Sequence, residues 1–242
     1  MPWLRSVGAA RYPISPLRAP GPEFAVSMTE LLREVRECRI CAAHLPLGPR
    51  PVLQAAASAR LLIVGQAPGS KVHRSGVPWD DASGERLRAW LGLDGAAFYD
   101  ESRVAIVPMG LCYPGAGAQG DLPPRPECAP RWHPPLIEAM PRLRLTLLVG
   151  QYAQRHYLGR RRKRSLADTV AAFADYAPAY FPLPHPSWRA SIFMAKHPWF
   201  EAEALPRLRA AVARAMDGRG EQPIYPSHPD PIGATSGRSL DA

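Results

Sequence analysis

The sequence predicts an α/β fold, a three-layer α/β/α sandwich built on a central, mainly parallel four-stranded sheet. Three observations lead there. Arg60-Leu-Leu-Ile-Val-Gly65, Arg103-Val-Ala-Ile-Val-Pro108 and Leu145-Thr-Leu-Leu-Val-Gly150 are short apolar runs without polar alternation, as strands buried on both faces of a parallel sheet must be. Segments of helical period lie between them, which is how parallel strands are joined. Tyr180-Phe-Pro-Leu-Pro184 is a weaker fourth run, and its prolines put it at an edge, where they do least harm to the ladder.

The helices follow in order. Ser27-x-x-Glu30 has the form of a capping box, so a helix is expected to start near Ser27 or Thr29, with Leu31, Leu32, Val35 and Cys38 on one face. Ser83 is placed to cap a helix that carries Leu87, Trp90 and Leu91. Residues 128–142 and 151–158 supply two more, and residues 201–216, rich in Ala, Leu and Arg, form the last. Residues 1–26 hold five prolines and three arginines, with no acid before Glu23, and read as a disordered basic arm. Acid-poor, arginine-containing stretches also serve as transit peptides, but the prolines weaken the amphipathic helix such a peptide needs. After Gly218 the chain turns polar and rich in Pro, Ser and Gly, a disordered tail over residues 219–242. The folded domain is therefore expected over residues 27–218.

Thirty Lys and Arg against 21 Asp and Glu leave the 242-residue chain at +9. That excess favours a polyanionic partner, nucleic acid before a membrane surface. No apolar run reaches the roughly 18–20 residues that span a bilayer, and residues 1–20 lack the continuous apolar core of a secretory signal. The expectation is a cytoplasmic, nucleoid-associated monomer.

The chain has four cysteines. Cys38 and Cys41 form a C-x-x-C pair, and Cys128 lies 16 positions after Cys112. Two thiols from one tight turn and two from a distant loop suit a shared tetrahedral or cubane metal site. The competing reading is two disulfides or four unrelated core cysteines, and disulfides need an oxidising compartment.

Ligands of an open parallel sheet bind beyond the carboxyl ends of its strands. Gly65-Gln-Ala-Pro-Gly69 follows the first strand, Met109-Gly-Leu-Cys-Tyr113 the second and His185-Pro-Ser187 the fourth. With the cysteines, these segments resemble the uracil-DNA glycosylase superfamily, closest to its iron–sulfur branches. Gly65–Gly69 is similar to the family's first active-site motif. Arg74-Ser-Gly-Val-Pro-Trp79-Asp-Asp81-Ala-Ser-Gly84 is similar to the loop that supplies an aromatic platform and, in one branch, a catalytic aspartate before Ala-Ser-Gly. His185-Pro186-Ser187 is similar to the second motif, at the start of the loop that probes the DNA minor groove. The likeness covers about residues 29–215. It implies a 4Fe–4S cluster on Cys38, Cys41, Cys112 and Cys128, with zinc as the other metal that four cysteines satisfy.

The chain departs from the family at three places. Ala67 stands where the best-known branch has its water-activating aspartate. Pro108-Met109-Gly110 replaces a stretch in which several branches use an asparagine to read the uracil edge. Residues 113–127 lack the histidine with which one branch traps uracil covalently.

The resemblance implies hydrolysis of the N-glycosidic bond of uracil, and of other deaminated or damaged bases, in DNA. The base must first be flipped out of the duplex. Cleavage builds positive charge on the deoxyribose and negative charge on the base, so the site needs an anion, a donor and a positioned water. Asp81 is the candidate anion, with Asp80 in reserve. The bland alternative for both is a solvated turn. His185 is the candidate donor to the base, although a histidine between prolines can equally satisfy a loop carbonyl. Trp79 would stack on the base, or else is an ordinary core tryptophan. Gly65, Gln66 and Ala67 would bind the base or its phosphate, Ser187 a phosphate, and Arg189 would enter the base stack. Arg160-Arg-Arg-Lys-Arg164 is either a phosphate contact or a solvated surface run. Two rivals remain: a non-catalytic iron–sulfur protein that binds uracil or lesions, which Ala67 favours, and a nucleotide-binding regulator using the Gly-rich turn.

Overall fold

A computed structural model of the chain describes residues 27–118 and 120–217. The expected arm and tail fall outside these residues. Four strands, β1 (Leu61–Val64), β2 (Val104–Ile106), β5 (Leu145–Val149) and β6 (Tyr180–Leu183), form one parallel sheet in the order β2-β1-β5-β6. Ile63 sits opposite Ile106 on one side and Leu147 on the other. A separate two-stranded antiparallel hairpin, β3 (Ala116–Gly117) and β4 (Gly120–Asp121), lies between β2 and β5 in sequence.

The sheet separates two cores because successive side chains of a strand face opposite ways. Leu61, Ile63, Leu145, Leu147 and Val149 join Leu87, Trp90 and Leu91 of α3 (Ala82–Leu91) and Leu208 and Val212 of α9 (Leu205–Asp217). Leu62, Val64 and Leu148 join Leu31 and Val35 of α1 (Met28–Arg36), Trp132 and Leu136 of α5 (Cys128–Glu138) and Ala153 of α6 (Gln151–Leu158). Every residue of β1 is fully buried. At roughly 1.5–3 kcal/mol for each large aliphatic side chain, this strand alone is a major source of stability. Helices on both faces make the three expected layers, and β6 takes the expected edge despite Pro182 in its ladder.

Ser27 caps α1, accepting from the Glu30 N–H at 3.2 Å. Three expectations change. Asp81, not Ser83, caps α3, because its oxygen meets the Gly84 N–H at 2.8 Å while Ser83 already lies inside the helix. The helix expected over 128–142 ends at Glu138. The last helix begins at Leu205, with Phe200–Ala204 wound as a wider π-type turn. Short helices α2 (Ser70–Ser75), α4 (Gly95–Phe98), α7 (Leu166–Ala171) and α8 (Arg189–Lys196) complete the described residues.

The strand order turns about β1. The chain steps outward from β1 to β2, then returns to the far side of β1 for β5. Such a switch point opens a crevice at the carboxyl ends of the strands. Buried Gln154 of α6 braces that end, donating to the carbonyls of Leu148 (3.3 Å) and Leu183 (2.9 Å).

Candidate active site

A cleft of about 880 Å³ opens at this switch point, within the size range of small-ligand sites. Gly65, Gln66, Ala67, Trp79, Asp81, His185, Ser187 and Arg189, all chosen from sequence, line it together. Asp80 does not line it and is exposed, so of the two adjacent acids it is Asp81 that faces the cleft.

The loop carrying Trp79 and Asp81 is held from several sides. Trp79 adopts φ 56°, the only described non-glycine residue at positive φ. That strained conformation persists because the surrounding contacts hold the loop. A Cβ on Gly84 would stand 1.8 Å from the Trp79 carbonyl oxygen, so only glycine fits there. Tyr99 donates to the Pro78 carbonyl at 3.0 Å, and Arg88 meets both the Trp79 carbonyl (3.4 Å) and the Tyr99 hydroxyl (3.2 Å). Gly65 owes its place to the same ring: a Cβ there would sit 2.8 Å from the Trp79 indole. Trp79 is half-buried, packed against the core and 5.7 Å from the His185 ring across the cleft wall. The ring therefore packs on the core and lines the cleft at once.

His185 follows the end of β6 and packs against Gly150, whose φ of 83° is the left-handed conformation that glycine adopts without strain. Burial pushes its imidazole below the ordinary histidine range, and Asp81 opposes that push. A neutral ring beside a carboxylate is the form able to donate to a leaving base without competing for its charge. Arg86 of α3 ties this loop to the helix that Asp81 caps, donating to the carbonyls of Pro186 (3.0 Å) and Ser187 (2.5 Å).

Gln66 has a different engagement from the expected one. Its amide nitrogen donates to the carbonyls of Leu122 (3.0 Å) and Asp121 (3.5 Å), fastening the β3–β4 hairpin over the Gly65–Gly69 turn. Arg189 stacks on Trp188, 5.2 Å from the ring centre. Trp188 itself is 68% exposed at the cleft rim, with Ile192 exposed one turn on. Sequence reasoning passed over Trp188, though an aromatic directly after His-Pro-Ser was there to be noticed.

Two more residues escaped it. Asp121 brings a second carboxyl into the cleft. The residue is exposed overall, but the protein on its cleft side partly desolvates the carboxyl and, with Asp81 second, raises it from the usual carboxylate value, against the Tyr113 hydroxyl. His133 is buried beneath the end of β2, with its ring nitrogens 3.1 Å from the Pro108 carbonyl and 2.6 Å from the Tyr157 hydroxyl. Burial takes it down to about 4. The Arg160–Arg164 run is partly tied down: Lys163 pairs with Asp175 at 2.6 Å, and Arg161 stacks on Tyr176.

The four cysteines come from just past α1, which ends at Arg36 and so leaves Cys38 outside the helix it was expected to share, the turn that follows, the loop after β2 and the start of α5. All are free thiols. Burial pushes Cys112 up to about 11 and Cys128 up to about 12, with Cys38 and Cys41 adding to both as like charges. That mutual influence places all four in one corner, where the Leu111 N–H points at the Cys128 sulfur at 3.3 Å. Among the described residues no three His, Cys, Asp or Glu side chains stand as a formed ligand set. The donor set itself suits a thiophilic cation, which would supply the positive charge that buried thiolates need.

An open parallel sheet with a cleft at its switch point, lined by acidic side chains, a histidine and a tryptophan, defines an α/β protein with a small-ligand or catalytic site at its strand ends. A model of the Uracil DNA glycosylase superfamily matches residues 53–209. The chain belongs to that superfamily, whose members act on DNA. Among the described residues no helix is long and apolar enough to cross a membrane.

Proposed function

We propose that the protein is a DNA-repair glycosylase that hydrolyses the N-glycosidic bond of uracil in DNA and leaves an abasic site. The observation that carries this reading is the meeting of Asp81, His185 and Trp79 in one cleft of a chain from this superfamily. Trp79 offers its face to a flipped base, a contact worth roughly 1–3 kcal/mol. His185, neutral, donates to the base oxygen on which negative charge collects as the C1′–N bond breaks. Asp81 stands as the anion for the sugar that becomes cationic, and orients water toward C1′. Ala67 has no acid to offer, so the anion comes from the following loop.

Cys38, Cys41, Cys112 and Cys128 would hold a 4Fe–4S cluster, with zinc as the alternative. Such a group would tie α1 to the loop after β2 and to α5, giving rigidity rather than chemistry. DNA is the partner, and the positive balance of the chain favours its backbone. Arg189 would enter the base stack as the sequence suggests, and Trp188, exposed at the rim and stacked against it, would help fill the space a flipped nucleotide leaves.

The test is incubation with uracil-containing duplex and single-stranded oligonucleotides, followed by alkali, which cuts at abasic sites. Strand cutting that depends on both enzyme and uracil is expected. Tight binding of the uracil strand without cutting would replace this reading with that of a non-catalytic lesion binder.

A further inference from the structure

A run of five adjacent cations is ordinarily solvated and mobile, because like charges repel and long side chains gain entropy by moving freely. Arg160-Arg-Arg-Lys-Arg164 is held instead. The hydroxyl of buried Tyr176 donates to the Arg161 carbonyl at 2.9 Å, and the ring of the same tyrosine receives the Arg161 guanidinium. The Lys163 N–H donates to Oγ1 of Thr169, also buried, at 3.1 Å. That hydroxyl donates on to the Ser165 carbonyl at 2.8 Å. Lys163 closes on Asp175 at 2.6 Å. Two buried polar side chains and an ion pair thus fix the backbone of an exposed strap.

The anchoring falls on alternate residues. Arg161 and Lys163 are engaged by the protein. Arg160, Arg162 and Arg164 are exposed and, among the described residues, form no hydrogen bond or ion pair.

The strap also has a definite place. It begins after Leu158, buried in the core on one face of the sheet, and ends before Leu166, which packs on the core of the other face and lines the cleft. The crossing runs beside β6, against which α7 and Phe173–Tyr176 pack. β6 is the edge strand that leads into His185. From Arg160 to Arg164 a chain reaches at most about 14 Å. That spans about four phosphates of one DNA strand, at about 3.4 Å of helix axis each.

We propose that Arg160, Arg162 and Arg164 form a fixed phosphate track on the β6 side of the cleft, which binds the backbone of duplex DNA flanking the flipped nucleotide. This rests on the glycosylase reading above for its partner and adds where the duplex lies. A track pinned in advance loses less conformational freedom on binding than a mobile run does. It meets phosphates and no base edge, so it positions the duplex without reading sequence. Three unpaired cations held side by side repel one another, and a polyanion relieves that repulsion. The strap has no apolar side chain to enter a bilayer, unlike the helices that lie on membrane surfaces.

The experiment measures binding of the full chain to a uracil-free duplex by fluorescence anisotropy over a range of salt, with cutting of a uracil duplex scored in parallel. Arg160→Ala/Arg162→Ala/Arg164→Ala should lower the slope of log K against log salt by about 2–3, since each lost contact removes about 0.9, and weaken binding at least about tenfold at about 50 mM salt. The control Arg142→Ala/Arg207→Ala/Arg214→Ala removes the same charge from exposed positions outside the cleft and should move the slope by less than about 1. Tyr176→Phe keeps every cation and the ring under Arg161 but frees the Arg161 carbonyl. Its slope should hold while affinity falls at least about threefold. Thermal unfolding checks each fold, and the strap variant should unfold no lower than wild type, because only exposed, unpaired cations are lost.

A strap variant with the wild-type slope and affinity, or a control that loses as much, would overturn the inference, and cutting by wild type would leave the glycosylase reading intact. Wild-type affinity in Tyr176→Phe would overturn the part assigned to anchoring. Strap-dependent binding to phosphatidylserine vesicles, with no strap effect on the duplex, would replace DNA with a membrane surface. Strap-dependent duplex binding in a wild type that never cuts would uphold the inference and overturn the glycosylase reading. A wild type that neither binds nor cuts would overturn both.

Discussion

Asp81 serves the fold and, on the proposed reading, the reaction, and two substitutions separate these services. Its side chain accepts the Gly84 N–H at 2.8 Å as the N-cap of α3. Asparagine caps a helix about as well as aspartate, so Asp81→Asn keeps that bond and removes only the charge. Alanine removes both. Loss of an N-cap costs about 1 kcal/mol, which in a domain of this size lowers Tm by about 2–4 °C. The charge is the larger quantity. A carboxylate about 4 Å from a developing sugar cation, at an effective dielectric near 20, is worth up to about 4 kcal/mol, or nearly three decades of rate. Partial charge development trims this, so at least about 10²-fold is expected. Single-turnover excision from one uracil duplex, thermal unfolding and DNA binding should be measured together. Asp81→Asn should unfold within about 1 °C of wild type, lose at least about 10² in rate, and bind DNA as well or better because repulsion with phosphate is relieved. Asp81→Ala should show the same rate loss with the lower Tm, and Asp80→Asn, exposed outside the cleft, should show neither. An Asp81→Asn variant with the wild-type rate would refute the reasoning and move the search for the anion away from this loop.

Gly84→Ala should fold poorly or lose at least about 3 kcal/mol of unfolding free energy, because its Cβ would meet the Trp79 carbonyl oxygen at 1.8 Å; an unchanged melting curve would show that the loop can move aside. Replacing any one of Cys38, Cys41, Cys112 and Cys128 with Ala should remove bound metal and lower stability, as read by iron, sulfide and zinc analysis of anaerobically purified protein. Wild type with none of the three would end the metal reading. Trp188→Ala should lose at least about tenfold on duplex DNA and little on a single strand, and equal losses on both would argue against a role in filling the stack. His133 titrates near 6.5 when unfolded but only at about 4 in its buried site. The unfolded chain therefore binds the extra proton first, and acidification through that window should cost about 3 kcal/mol of stability. Chemical denaturation at pH 7 and pH 4 tests this, with His133→Asn expected to lack that share of the loss.

The four strands were legible because each is buried on both faces, and only a continuous apolar run survives there without exposing polar groups or leaving them unbonded. The edge position of β6 was legible for a related reason, since Pro182 can supply no donor to a second neighbour. Errors entered where the sequence offered two equivalent choices: Asp81 and Ser83 are both good caps two positions apart, and only the structure shows that the Asp81 oxygen takes the Gly84 N–H. The cleft residues drawn from motifs converge because those motifs sit at strand ends, and a parallel sheet brings strand ends together whatever lies between. Arg86 and Asp121 had no such anchor. Arg86 looks like any helix-surface arginine until Pro186 and Ser187, a hundred residues away, turn their carbonyls toward it. Asp121 sits on a hairpin of two-residue strands too short and exposed to carry a periodic signal. Its surroundings are Gly69, which the carboxyl touches, Gln66, which fastens the hairpin, and Tyr113, which acts on the carboxyl. Each of those three residues has an adequate local explanation of its own. A residue so placed reaches the cleft only through contacts from distant parts of the chain, and no local motif spells those out.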